Sequence, residues 1–135
     1  MMGRRILIVD DEEDIRTVLT QMLSHQGFEV DAAQNGQQAL DKLSEGEYQL
    51  MVLDIMMPVM DGFTLLDKLD ARTKDQMPIV VLTAKASDAD VLKGYSIGAS
   101  YYVVKPFDNV TLLNAILFML GDLSEEEMES MHLKL

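Results

Sequence analysis

The chain has no cysteine, only two histidines, and 11 basic side chains against 23 acidic ones. Each shortage excludes something. Without cysteine there is no disulfide, no thiolate metal site and no thiol nucleophile, a pattern that fits a reducing, cytoplasmic setting. A net charge of −12 and a pI near 4.3 leave no basic face to follow a phosphate backbone. Direct nucleic-acid binding by this chain is therefore not expected. Long apolar runs are also missing. The longest uncharged stretch, 109–121, is too short for a membrane span and carries Asn and Thr. At the N-terminus, MMGRR is followed by four apolar residues before Asp10, well short of a signal-peptide core, so a cytosolic start is expected. There are no repeats and no low-complexity segments. A chain of 135 residues of this kind is expected to form one domain with its own core.

What is present is a regular alternation of short β-branched apolar runs with amphipathic stretches. Ile6-Leu7-Ile8-Val9 is apolar at every position, as a strand buried on both faces requires. The segment 13–26 carries Ile15, Val18, Leu19, Met22 and Leu23 at helical spacing, and Gly27 supplies a stop. Further strands are predicted at 28–33, 50–53, 78–82 and 101–104. Further helices are predicted after Asn35-Gly36, with Ala39, Leu40 and Leu43, and at 63–69, 89–97 and 110–120. Five β-α units in this order predict an α/β fold, a parallel sheet with helices on both faces. After Gly121 the composition turns acidic. Within this 122–135 tail, Ser124 and Glu127 have the spacing of a capping box, which suits a short extra helix, the start of a linker or a frayed terminus.

Polar side chains collect at the strand ends. Asp10 and Asp11 follow the first strand, Asp54 the third, Thr83 the fourth and Lys105 the fifth. In open α/β sheets, ligands bind beyond the carboxyl ends of the strands, where strand order reverses. In the flavodoxin-like order 2-1-3-4-5 that point lies between strands one and three, which deliver Asp10, Asp11 and Asp54. Singly, these residues have plainer readings. Asp10-Asp11 can cap the first helix and Asp61 the third, and a lone lysine usually solvates a surface. Asp54 is different. It ends the apolar run in VLDIMMPVMDG, and Pro58 disfavours helix at Met57, so it stands too far from the third helix to cap it.

Three carboxylates in one pocket repel one another and raise a pKa unless a cation neutralises them. Mg²⁺, which takes oxygen ligands, suits the set. Zinc does not, because no His or Cys lies nearby. A carboxylate beside Mg²⁺, a lysine and a hydroxyl forms a phosphoryl acceptor. Asp54 attacks, Mg²⁺ and Lys105 stabilise charge on the equatorial oxygens, and Thr83 hydrogen-bonds one of them.

Over residues 4–121 the chain resembles the receiver domain of two-component response regulators, CheY-like, through ILIVDDEEDIR, AQNGQQAL, LDIMMPVMDG, PIVVLTA and GASYYVVKPF in that order. The resemblance implies a flavodoxin-like, doubly wound (βα)5 sandwich. It implies phosphotransfer to Asp54 from the phosphohistidine of a sensor histidine kinase or a histidine phosphotransfer protein. Mg²⁺ would be held by Asp11, Asp54 and the backbone carbonyl of Met56, with Asp10 contributing through bound water. Thr83 and Tyr102 would form a switch pair that biases the face made by the fourth helix, fifth strand and fifth helix toward a partner or output domain. The Lys105-Pro106 bond would be cis, aiming the lysine into the site. No independent turnover substrate is expected, so the chain is not an enzyme in the usual sense.

Departures from the family pattern bear on the output. Receivers of the winged-helix transcription branch carry an Asp-Asp pair before the switch tyrosine, where this chain has Ser100 and Tyr101. They also carry charges on the fifth helix that pair across a dimer, whereas 110–120 has none. Its apolar residues cover a wider arc than a core-facing stripe needs. Two expectations follow: the tail folds back over this helix through Met128, Met131, Leu133 and Leu135, or the face is open to a partner or a homodimer. Met56 and Lys85 stand where family members vary and set the phosphoryl lifetime, and Met56 could shield the acyl phosphate from water. The chain is then a stand-alone regulator or a receiver module of a hybrid kinase or phosphorelay. Two other classes fit less well. A Mg²⁺-dependent aspartyl-phosphate phosphatase places a second aspartate where Met56 stands. A flavodoxin-like electron carrier needs a hydroxyl- and glycine-rich loop where this chain has Asp10-Asp11-Glu12-Glu13.

Overall fold

The apolar runs become five strands: β1 (Arg5–Val9), β2 (Glu29–Ala33), β3 (Leu50–Asp54), β4 (Ile79–Thr83) and β5 (Tyr101–Val104). The structure, a computed structural model, describes residues 4–57, 60–84, 93, 95–96, 98–124 and 126–127. All pairings are parallel and the order is β2-β1-β3-β4-β5, the predicted flavodoxin-like arrangement. Every residue of β3 and β4 is buried, which is why these segments are apolar without alternation.

Strand parity divides the core in two, because successive side chains leave a strand on opposite faces. Leu7, Val9, Met51, Leu53, Ile79 and Val81 pack on one face with Ala39, Leu65 and Leu66. Ile6, Ile8, Leu50, Val52, Val80 and Leu82 pack on the other with Leu19, Leu23, Leu112 and Ile116. The helices packed on these faces are α1 (Glu13–His25), α2 (Gly36–Glu45), α3 (Gly62–Lys68) and α5 (Asn109–Met119), while α4 (Ala71–Gln76) lies outside the core. Asn35, Asp61, Asp70 and Asp108 cap α2 to α5, each accepting a backbone N–H of the first turn. The capping expected of Asp61 is thus observed. Gly27 ends α1 with a φ of 93°, in the left-handed region where glycine is unstrained.

Several boundaries differ from the sequence reading. Asp54 and Thr83 are the last residues of their strands and not the first after them. The cap position of α1 is Glu12, and Asp10 accepts the Glu12 N–H (2.9 Å), so Asp10 does not cap the helix itself. Helix α4 was not anticipated, since none of its residues is buried and it has no apolar stripe. Of the helix predicted at 89–97, Lys93, Tyr95 and Ser96 are helical and the rest lies outside the described residues.

On α5, Leu112, Asn114, Ala115 and Ile116 are buried against the sheet, while Val110 is 63% exposed. The tail residues 128–135, which one of the two expectations folds over this helix, lie outside the described residues. Ser124 and Glu127 do form the reciprocal capping box, with contacts of 3.1–3.3 Å. Arg4 pairs with Asp122 and stacks 5.2 Å from the Phe28 ring, joining the start of β1 to the end of α5. Among the described residues, no helix is long and apolar enough to cross a membrane.

Candidate functional site

Register places the acidic residues side by side. Val9 of β1 pairs with Leu53 of β3, so the next residues, Asp10 and Asp54, leave adjacent strands together. The Asp10 N–H donates to the Ala33 carbonyl on the other neighbour, β2 (3.1 Å), which holds the chain in the sheet up to that residue. Asp10 is fully buried and Asp54 is 3% exposed. The edge strand β5 supplies the cation at the same carboxyl end. The Lys105 N–H donates to the Thr83 carbonyl (2.9 Å), fixing the lysine at the end of β5 beside the end of β4. The Lys105-Pro106 peptide bond is cis, as the resemblance implied.

The Lys105 ammonium donates to Asp10 Oδ2 (3.1 Å), Asp54 Oδ2 (3.2 Å) and Glu12 Oε1 (3.3 Å). The remaining oxygens are held by main chain: Asp10 Oδ1 accepts the Glu12 N–H and Asp54 Oδ1 accepts the Met56 N–H, each at 2.9 Å. Arg16 donates from its guanidinium to the Asp10 carbonyl (2.8 Å), so α1 steadies the acidic loop. Carboxylate oxygens of Asp10, Asp11, Glu12 and Asp54 all lie within 4.8 Å of one another.

One ammonium does not balance this group. Burial pushes the Asp54 carboxyl up to about 6; the Met56 N–H and Lys105 work against that rise and the Asp10 charge adds to it. Asp10 is raised for the same first reason, opposed by the Glu12 N–H and Lys105. Burial disfavours the Lys105 ammonium, but its bonds and charge attraction to Asp10 and Asp54 outweigh this and raise its pKa. Buried carboxyls held above their usual range, with oxygen the only ligand atom that the described residues bring to the group, fit a hard divalent cation.

The structure brings Asp10, Asp11, Asp54 and Lys105 together and sets Thr83, fully buried, at the neighbouring strand end. Tyr102 sits apart from the acidic group on β5, in register with Val81, its ring 5.3 Å from that of Tyr95. Parity puts Thr83 and Tyr102 on the same face of the sheet, since Val81 and Thr83 are two residues apart. The Met56 side chain is 48% exposed and lines an open cleft with Ile55, Met57, Asp61 and Phe63. A second cleft, of about 520 Å³, opens beside Lys105 between Ile15, Val18, Ala84, Pro106 and Phe107.

Two contributors escaped the sequence reading. Glu12 reads as one more acid at a helix start, and its distance of 93 residues from Lys105 hides the contact. Arg16 reads as a solvated position on α1; the local hint is that it lies about one helical turn beyond Glu12, which brings it back over the loop.

Comparison with known proteins agrees with this geometry. The family model described as "Response regulator receiver domain" matches residues 6–117. The transcriptional regulatory protein SrrA of Staphylococcus aureus is 43% identical over 106 residues, covering 78% of this chain. The chain spans only 43% of that relative's length. Among solved structures, chemotaxis protein CheY4 of Vibrio cholerae superposes with a TM-score of 0.81 at 32% identity, covering 87% of this chain and 99% of that one. Response regulator protein TrrA of Thermotoga maritima, in complex with Mg²⁺-BeF, gives 0.76 at 37% identity, covering 86% and 98%.

Proposed function

The chain belongs to the response regulator receiver domain family, and from that premise we propose that Asp54 accepts a phosphoryl group from the phosphohistidine of a sensor histidine kinase or histidine phosphotransfer protein. The observation that carries this reading is the setting of Asp54. It is a buried carboxylate on the central strand, held by the Met56 N–H and faced by the Lys105 ammonium. As an Asp54 oxygen bonds to phosphorus, the P–N bond of the donor breaks and its electron pair returns to the imidazole. Lys105, the Met56 N–H and the Thr83 hydroxyl are the donors that would turn to the phosphoryl oxygens from their present partners. Asp10, Asp11, Asp54 and the Met56 carbonyl would hold Mg²⁺, whose chemistry is to neutralise charge on those oxygens. The chemistry is confined to the chain's own aspartate, which makes it a signalling module and not a turnover catalyst.

The cleft beside Lys105 supports the same reading. Its apolar walls, Ile15, Val18, Pro106 and Phe107, offer a donor protein a surface next to the acceptor oxygen. Output runs through Thr83 and Tyr102 to the face formed by the 89–97 segment, β5 and α5, where a partner or output domain docks and a homodimer can form. The shared sheet face of the two residues and the Tyr95–Tyr102 ring contact support that route. SrrA is a transcriptional regulator by name, which supports coupling to an output domain. Ser100, Tyr101 and the uncharged α5 argue against the salt-bridged dimer of the winged-helix branch.

Intact-mass analysis after incubation with Mg²⁺ and acetyl phosphate tests the assignment. The wild-type chain gains one phosphoryl group and the Asp54→Asn variant gains none; equal uptake by the variant would overturn it.

A further inference from the structure

An ammonium has three N–H donors and no acceptor. Lys105 spends all three, on Asp10, Asp54 and Glu12. No donor is left for a phosphoryl oxygen unless one of these contacts opens. The three partners are unequal. Side chains of Asp10 and Asp54 are 1% and 4% exposed, and in the unmodified, metal-free chain taking the ammonium away from either leaves a buried charge uncompensated. The Glu12 side chain is 57% exposed, so water replaces the lysine there at little cost. Its carboxylate can also swing away without disturbing the loop, because the Glu12 N–H is held separately by Asp10 Oδ1.

We propose that Glu12 is a positioning residue for Lys105, a placeholder that occupies its third donor at rest and yields it to an oxygen of the phosphoryl group on Asp54. This rests on the phosphoacceptor reading given above. Glu12 then has two effects of opposite sign. Its charge favours a cation at the acidic group, while its contact competes with an anion for Lys105.

Titration calorimetry on the full chain separates the two, using Mg²⁺ alone and then beryllofluoride at saturating Mg²⁺. Glu12→Gln removes the charge. Glu12→Asp keeps the charge but, one methylene shorter, draws the carboxylate back from the ammonium. Both variants should bind beryllofluoride about two- to fivefold more tightly than wild type, the worth of an exposed ion pair. Mg²⁺ affinity should fall in Glu12→Gln and hold in Glu12→Asp. Unchanged or weaker beryllofluoride binding in either variant overturns the proposal, as does a loss of Mg²⁺ affinity in Glu12→Asp equal to that in Glu12→Gln. Wild-type protein that fails to bind beryllofluoride with Mg²⁺ present would instead overturn the phosphoacceptor reading, and this proposal with it.

Discussion

Lys105 Nζ stands 3.2 Å from Asp54 Oδ2, across 51 residues of chain and at the ends of two different strands. Removing the ammonium strands both Asp10 and Asp54 as buried anions. The Lys105→Met variant should lose about 3–5 kcal/mol of stability at pH 7.5. The loss should shrink at pH 4.5, where Asp54, pushed up to about 6, takes up a proton and no longer needs a counter-charge. Urea unfolding at both pH values in EDTA measures this; equal losses would mean that the pair contributes nothing specific.

The pH dependence of the metal-free protein follows from Asp54 itself. Its folded-state pKa of about 6 lies above the ordinary 3.8. Between these values the folded chain binds more protons than the unfolded one, so stability falls as pH rises from about 4 to 6 and stays reduced above that. A shift of about two units corresponds to about 3 kcal/mol. Asp54→Asn cannot titrate, so its stability profile should be flatter through this window and higher at pH 7. Thermal melts across pH 4–7.5 would contradict the assignment if the two profiles ran parallel.

Gly62 tests how closely the next helix bears on the acceptor strand. Its N–H donates to the Ile55 carbonyl at 2.8 Å, and a Cβ there would fall 2.6 Å from Ile55 Cα and 2.8 Å from the Asp54 carbonyl oxygen. Both are backbone atoms, so no side chain can move aside. Gly62→Ala should cost about 1–3 kcal/mol and weaken beryllofluoride binding by shifting the backbone that carries Asp54. Stability lost with anion affinity intact would uncouple the helix start from the site.

Val18 is 43% exposed on the cleft beside Lys105, on the α1 turn after Ile15. Val18→Asp should slow phosphotransfer from a phosphohistidine protein tenfold or so, the effect of about 1.4 kcal/mol, and leave uptake from acetyl phosphate unchanged. A small donor needs no docking surface; a protein donor does. Equal slowing with both donors would place the effect at the site instead.

Strands β1, β3 and β4 were legible because burial on both faces writes itself as unbroken apolar runs, and the strand-end carboxylates because topology brings equivalent ends together. Helix α4 was not. Its sequence, ARTKDQ, buries nothing, and its one local signal is the Asp70 side chain accepting the Thr73 N–H at 2.7 Å. A cap without an amphipathic stripe is too weak to read alone. Glu12 escaped for another reason. What distinguishes it from Glu13 is a contact with Lys105, and side-chain contacts between β1 and β5 ends depend on loop geometry that no local pattern records. The Asp10 capping alternative failed by two residues, a difference set by where Asp10 Oδ1 finds its first N–H.

The Arg4–Asp122 pair ties the beginning of β1 to the stretch just past α5. That corner lies at the amino ends of the strands, while Asp54 lies at the carboxyl end of β3, one strand length of about 17 Å away. Asp122 therefore stands at the floor of the sheet, not at its carboxyl rim. Helix α5 joins the two ends as a lever seated on the sheet, and cutting the ionic hinge at Arg4 would loosen that lever at its foot while leaving the Lys105 contacts at the rim in place.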